Sequence, residues 1–392
     1  MLRNNLQQVL ARSCPQVHDS QTLRHGQARC STQTPRLHHK LRPLKSELLQ
    51  DGKCFPHFYV HPTRIYFRFR RLTCSQLVLH AVAALRVLTV GMTKMFGPIL
   101  VLGGTGMLGH KVWQVLRCRF ETHIAARSSH GAYADLGIFD ADRWHADVEA
   151  GRFESLLPVV ADVRPAAIVN CIGVIKQRAA AQNPLEAIPV NSLFPHRLHQ
   201  LSRELGAHLI HISTDCVFSG ERGNYSEDDS PDPPDLYGRS KLLGEVDGPG
   251  ALTLRTSVIG RELRTSYGLV EWFLRQDGRR VAGYANAIYS GLSTFALAEV
   301  ISELLSRDSL PSGLYHVAST PISKHDLLLL LRDAFGMSVE IERDEQFHCD
   351  RSLNGGRFRA TTGILVPTWA EMVAEMAGDP TPYRIGGLTP CN

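Results

Sequence analysis

The chain is 392 residues long, 43% hydrophobic and 21% charged, which describes a globular protein with a sizeable core and room for two or three domains. Its formal charge of +5 does not argue for a nucleic-acid partner, because that charge is unevenly spread. Residues 1–91 hold 14 of the 43 Lys and Arg against three acids (Asp19, Glu47, Asp51), a local balance of +11 that leaves the remainder at −6.

Residues 1–94 accordingly read as a basic leader, disordered or dispensable, rather than as a domain. Cys14, Cys30, Cys54 and Cys74 form no C-x-x-C pair, so no zinc site is expected there. Met1 to Lys45 has the arginine-rich, acid-poor character of a transit peptide. The apolar run Cys74 to Val90 is interrupted by His80 and Arg86 and is short for a bilayer span.

From Pro98 onward strand-like and helix-like segments alternate, the pattern of parallel strands joined by crossover helices. The first strand, Pro98 to Leu102, runs into Gly103-Gly104-Thr105-Gly106-Met107-Leu108-Gly109, and a helix is expected from Met107 to Arg119. A turn without side chains lets backbone N–H groups and a helix N-terminus approach a pyrophosphate, so these seven residues are the candidate dinucleotide turn. A second strand, Glu121 to Ala126, ends at Arg127 and Ser128. A cation and hydroxyls there suit a ribose 2′-phosphate, favouring NADP(H), with NAD(H) as the alternative. Trp144 to Val148 forms a third strand whose end brings Asp147 and Val148 toward the adenine. The fourth, Ala166 to Asn170, opens into Cys171-Ile172-Gly173, small enough to admit the cofactor backbone. A helix begins at Asn191, and the strand Ala207 to Ile212 ends at Ser213-Thr214-Asp215-Cys216.

The second chemical motif is Tyr237-Gly238-Arg239-Ser240-Lys241. Four residues apart on a helix, Tyr237 and Lys241 share a face, and an ammonium beside a phenol is expected to lower the phenol's pKa. Tyr237 then serves as proton donor and acceptor, with Thr214 holding a substrate carbonyl against it.

These motifs, with Gly244-Glu245 and Arg255-Thr256-Ser257, resemble the extended short-chain dehydrogenase/reductase superfamily, and within it the dTDP-4-dehydrorhamnose reductase-like branch, over roughly 97–345. The resemblance implies an α/β fold: a doubly wound parallel-sheet Rossmann domain (95–260) with a smaller C-terminal α/β substrate lobe (261–360, partly interleaved). It also implies a catalytic triad of Thr214, Tyr237 and Lys241, the lysine also binding the nicotinamide ribose. The implied reaction is hydride transfer from NADPH to a nucleotide-linked 4-keto deoxysugar, in polysaccharide or nucleotide-sugar synthesis. The sugar-nucleotide 4,6-dehydratases of the superfamily carry Asp-Glu after the threonine. Here the pair is Asp215-Cys216, which removes the dehydratase base. GDP-fucose synthases place a cysteine two residues after the catalytic hydroxyl, so an epimerase/reductase using Cys216 is one alternative. A non-catalytic NAD(P)-binding regulatory subunit is another. Val258 stands where dehydrorhamnose reductases have tryptophan, which leaves the sugar open.

In the expected lobe, Trp272, Tyr284 and Tyr289 are candidates to stack a base, and Arg275, Arg279 and Arg280 to hold a diphosphate. With Asp215 and Cys216, Trp272 and Tyr289 make up the expected substrate site. Helices at Phe295 to Leu305 and Lys324 to Phe335, and a strand at Gly313 to Ala318, complete the lobe. Residues 361–392 read as a helix and a loose tail. The five later cysteines (Cys118, Cys171, Cys216, Cys349, Cys391) are scattered, as befits a cytoplasmic enzyme, and no motif argues for a metal. The expected partners are a nucleotide sugar and at most a second copy of the chain, with no nucleic acid and no membrane.

Overall fold

The computed structural model describes residues 97–383 and two short strands, Val60–His61 and Arg64–Ile65, which pair antiparallel with Val60 opposite Ile65. The remaining expectations for the leader, including its cysteines and the run Cys74 to Val90, lie outside the described residues. From residue 97 the strands in chain order are β1 (Ile99–Leu102), β2 (Thr122–Ala125), β3 (Trp144–His145), β4 (Ala167–Asn170), β5 (His208–Thr214), β6 (Ala251–Thr256) and β7 (Val258–Ile259). They continue with β8 (Arg280–Tyr289), β9 (Leu292–Ser293), β10 (Gly313–His316), β11 (Ile322–Ser323) and β12 (Glu340–Asp350). The helices that matter for the site are α1 (Gly109–Leu116), α2 (Leu157–Val163), α3 (Phe194–Leu205), α4 (Leu236–Leu243), α5 (Leu269–Leu274), α6 (Thr294–Leu305), α7 (Lys324–Phe335), α8 (Gly356–Thr362) and α9 (Trp369–Ala377).

Continuous apolar runs make the main sheet. Every residue of β1, β4 and β6 is buried, as required of strands covered on both faces. Their alternation sorts them between two cores. Ile99 and Val101 face α1 and α6 through Val112, Leu116, Leu297 and Ile301, whereas Leu100 and Leu102 face α2 and α3 through Val160, Phe194 and Leu198. The strand order is β10-β6-β5-β4-β1-β2-β3, and every pair is parallel. The order reverses between β1 and β4, so the loops after those two strands diverge and leave a crevice at their carboxyl ends. This is the expected doubly wound Rossmann sheet.

The late strand departs from expectation. Gly313–His316 joins the main sheet, with Leu314 opposite Thr253, rather than the lobe. The buried helix α6 acts as the crossover that returns the chain parallel to β6. The smaller sheet, β11-β8-β12, pairs β8 with β12 in parallel from Arg280–Glu340 to Ile288–Asp350, with a register shift between Tyr284 and Asn286. The expected loose tail is anchored as far as Tyr383: after α9 the chain returns to α1, where Lys111 meets Asp379 in a buried ion pair.

Candidate active site

The glycine turn is shaped by what lies against it. Gly103 adopts φ +74° and its N–H bonds to the Ala125 carbonyl, which turns the chain out of β1. A side chain at Gly109 would strike the Gly103 carbonyl, so α1 can begin directly on the turn only with glycine there. The N–H groups of Thr105, Met107 and Leu108 have no acceptor among the described residues, and Gly106 is exposed. Free donors at a helix N-terminus are the chemistry a pyrophosphate needs, so these residues fit a dinucleotide.

The other expected cofactor contacts ring the same crevice. Arg127 and Ser128 are exposed just beyond β2, and the Ser128 carbonyl accepts from the Trp144 indole at 3.0 Å. Asp147 is exposed at φ +60° beyond β3, and Val148 is buried beside it with its N–H on the Ala126 carbonyl. Cys171, Ile172 and Gly173 follow β4; Cys171 and Ile172 lie against Gly103 of the turn, with the Cys171 N–H on the Leu102 carbonyl, and Gly173 lies beside Asn191. Asn191, in the π-helical turn Ile188–Leu193 that leads into α3, fixes this loop. Its Oδ1 accepts from the Val174 N–H at 2.8 Å, and its Nδ2 donates to the Val174 carbonyl and to Ser240 Oγ, both at 3.1 Å.

Ser240 belongs to α4, which presents Tyr237 and Lys241. Asp235 caps that helix through the Gly238 N–H at 2.8 Å and holds Lys176 at 2.8 Å. A side chain at Gly238 would strike the Cys216 carbonyl, so glycine lets the first turn of α4 seat on the segment after β5. That seating brings the Tyr237 phenol against the Thr214 side chain. Thr214 Oγ1 donates to Asp215 Oδ1 at 3.1 Å and accepts from the Cys216 N–H at 3.1 Å.

Here the expected electrostatics need correction. Burial raises the Tyr237 phenol above its ordinary range; Cys216 and Asp215 push the same way and Thr214 opposes them. Lys241 is buried and donates to the Ile212 carbonyl at 2.7 Å, and burial brings it down to about 8. Lowering of the phenol by the ammonium is therefore not what this arrangement produces. Tyr237 is a neutral phenol that keeps its proton. Glu245, one turn beyond Lys241, accepts from Ser213 Oγ at 2.6 Å and forms a buried pair with Arg255 at 2.7 Å, which explains the Gly-Glu and Arg-Thr-Ser motifs.

The expected substrate residues divide into two places. Asp215 and Cys216 lie beside Thr214; burial raises the Asp215 carboxyl, and burial with Asp215 drives the Cys216 thiol up to about 12. Tyr289, at the end of β8, meets Trp369 edge-on at 5.8 Å, and its buried hydroxyl has no partner among the described residues. Burial raises that phenol, and Asp215 pushes it the same way. Trp272 lies elsewhere, 37% exposed on α5. Arg280, a candidate for the diphosphate, is already paired with Glu340 on the exposed ladder.

Two cations went unseen in the sequence. Arg351, just past β12, places Nη1 3.8 Å from Cys216 Sγ while donating to the carbonyls of Phe218 at 3.0 Å and Ser219 at 3.3 Å. Lys324, at the start of α7, has its ammonium 5.1 Å from the Trp272 ring centre and 5.0 Å from that of Tyr284. No sequence motif carries either residue, because each meets these partners across forty positions or more.

Comparison with known proteins agrees with this architecture. The family described as the RmlD substrate binding domain matches residues 97–379. The chain belongs to that family. The chain is similar to dTDP-4-dehydrorhamnose reductase of Streptomyces griseus, 35% identical over 147 residues, 37% of this chain and 43% of that reductase, less than half its length. Methionine adenosyltransferase 2 subunit beta of Danio rerio is 25% identical over 266 residues, 61% of this chain and 74% of that one. A solved dTDP-4-dehydrorhamnose reductase from Bacillus anthracis, in complex with NADP, shares the fold with TM-score 0.60 at 21% identity, covering 72% of this chain and 99% of that one. The chain is thus an RmlD-type protein of the extended short-chain dehydrogenase/reductase kind.

Proposed function

We propose that the chain is an NADPH-dependent reductase of a nucleotide-linked 4-keto deoxysugar, with Thr214, Tyr237 and Lys241 as its catalytic residues. The observation that carries this reading is the seating of Tyr237 against Thr214 at the carboxyl end of β5, across the crevice from the donor-rich turn after β1. Bound NADPH would supply the hydride for the keto carbon. Thr214 orients the keto oxygen, and Tyr237, kept protonated by burial, gives it the phenolic proton. Lys241, one turn along α4 with its ammonium brought down to about 8 by burial, stabilises the phenolate left when Tyr237 gives up its proton and binds the ribose. Asp215, the Tyr289 hydroxyl and Arg351 surround the sugar.

NADPH is favoured over NADH because an exposed cation and a hydroxyl, Arg127 and Ser128, follow β2 with no carboxylate among them. The Cys216 thiol, pushed up to about 12 by burial and the neighbouring Asp215, stays protonated and offers no thiolate to act as base, which favours reduction alone over epimerisation. Loss of NADPH absorbance with a panel of 4-keto sugar nucleotides tests the proposal. Turnover with at least one of them is expected, and none with any would refute it.

A second reading rests on the resemblance to an adenosyltransferase subunit beta: a dinucleotide-binding regulatory subunit without turnover. It predicts dinucleotide binding with no turnover of any keto sugar.

A further inference from the structure

The segment after α9 lies at the end of the family match, which closes at residue 379, yet its side chains are built into the back of the glycine turn. Asp379 forms an ion pair with Lys111 of α1 in which both side chains are about 5% exposed. Thr381 Oγ1 accepts from Lys111 Nζ at 3.0 Å and from Gln114 Nε2 at 3.0 Å. The Tyr383 hydroxyl lies 2.9 Å from His110 Nε2 and 2.8 Å from Asp379 Oδ2. His110, fully buried, places Nδ1 2.9 Å from the Gly106 carbonyl.

The proton inventory fixes the direction of this chain. A carbonyl only accepts, so His110 Nδ1 carries a proton and donates to Gly106. Burial drops the imidazole to about 4, so the ring is neutral and Nε2 is an acceptor. The Tyr383 hydroxyl then has one proton for two acceptors, His110 and Asp379, while Lys111 supports Asp379 in either case. Arg261 lies 4.5 Å over the Tyr383 ring and pairs with buried Glu271 of α5, so the same tyrosine is also held by a segment outside α1. Helix α1 and the segment holding Arg261 thus both meet the five residues 379–383, and the path from Tyr383 through His110 ends on the Gly106 carbonyl of the dinucleotide turn.

We propose that residues Asp379, Thr381 and Tyr383 form a positioning clasp for the dinucleotide turn, holding the Gly106 carbonyl through His110 so that the neighbouring N–H groups face the pyrophosphate. The inference rests on the proposed dinucleotide reading for its ligand, but not for its geometry. Fixing a turn in advance removes an ordering cost from binding, so releasing it weakens affinity without touching the ligand.

The test uses the full chain and its Tyr383→Phe variant, which keeps the ring beside Arg261 and loses only the hydroxyl. Dinucleotide affinity is measured by titration calorimetry with NADPH and NADH, and amide hydrogen exchange is followed without ligand. Losing one buried hydrogen bond is expected to raise the NADPH dissociation constant about fivefold. The KM for dinucleotide rises with it, while the KM for the sugar nucleotide stays put. Exchange at residues 104–112 is expected to quicken in the variant while the β5 and β6 amides stay protected. Unchanged affinity together with unchanged exchange at 104–112 overturns the clasp. If the wild-type chain binds neither dinucleotide, the proposed function fails, and the exchange comparison still decides the clasp: faster exchange at 104–112 supports it and equal exchange overturns it.

Discussion

The Arg351 guanidinium stands 3.8 Å from the Cys216 sulfur and so carries the end of the small sheet's last strand to the end of the main sheet's fifth. Its other donors are spent on the carbonyls of Phe218 and Ser219. One edge of the guanidinium therefore locks the lobe to the Rossmann sheet, and its charge stays over Asp215 and Cys216. Arg351→Lys keeps the charge and loses the fork. It is expected to raise the KM for the sugar nucleotide about tenfold, with the NADPH dissociation constant unchanged. Steady-state kinetics beside a binding titration checks this.

Lys241 gives a pH dependence with a definite sign. Its folded pKa, about 8, lies below the ordinary 10.5, so between those values the unfolded chain binds the proton more strongly. Stability from this group accordingly rises with pH from about 8 to 10.5, and the cost of the buried charge is fully present below 8. Lys241→Met lacks that cost. The melting temperature of the wild type relative to this variant is therefore expected to climb as pH goes from about 8 to about 10. A flat difference would contradict the assignment. Catalysis should move the opposite way, with kcat falling above about pH 8 as the ammonium is lost.

Gly238 holds Tyr237 in place by having no side chain where α4 meets the Cys216 carbonyl. Gly238→Ala forces the helix away, at an expected cost of about 1–3 kcal/mol in stability. It should also lower kcat more than the KM for NADPH. Denaturant unfolding and initial-rate kinetics measure the two effects.

Lys324 lies between the rings of Trp272 and Tyr284 with no carboxylate partner among the described residues, and burial lowers its pKa. Lys324→Gln is expected to raise the KM for a nucleotide-linked sugar about tenfold while leaving dinucleotide affinity intact. Comparison of substrate KM and NADPH titrations decides it.

What was legible in the sequence was what local rules encode. Continuous apolar runs marked the strands, the glycines between β1 and α1 marked the crevice, and the i, i+4 spacing put Tyr237 and Lys241 on one helix. Less legible was whatever depends on long-range neighbours. The strand Gly313–His316 reads as lobe by its place in the chain, but joins the main sheet because α6 returns it beside β6. The tyrosine–lysine spacing is correct, but it does not tell that Lys241 would find the Ile212 carbonyl or that burial would raise the phenol. Neither Arg351 nor Tyr383 belongs to a motif; Cys216 lies 135 positions from the one and His110 273 from the other.

The central claim is that Tyr237 delivers the proton to a substrate oxygen, and it is tested most directly by comparing single-turnover NADPH oxidation in the wild-type chain and in Tyr237→Phe with the same 4-keto sugar nucleotide. The expected result is a loss of about 10²–10⁴-fold in rate with NADPH affinity preserved. A variant that oxidises NADPH as fast as the wild type would contradict it.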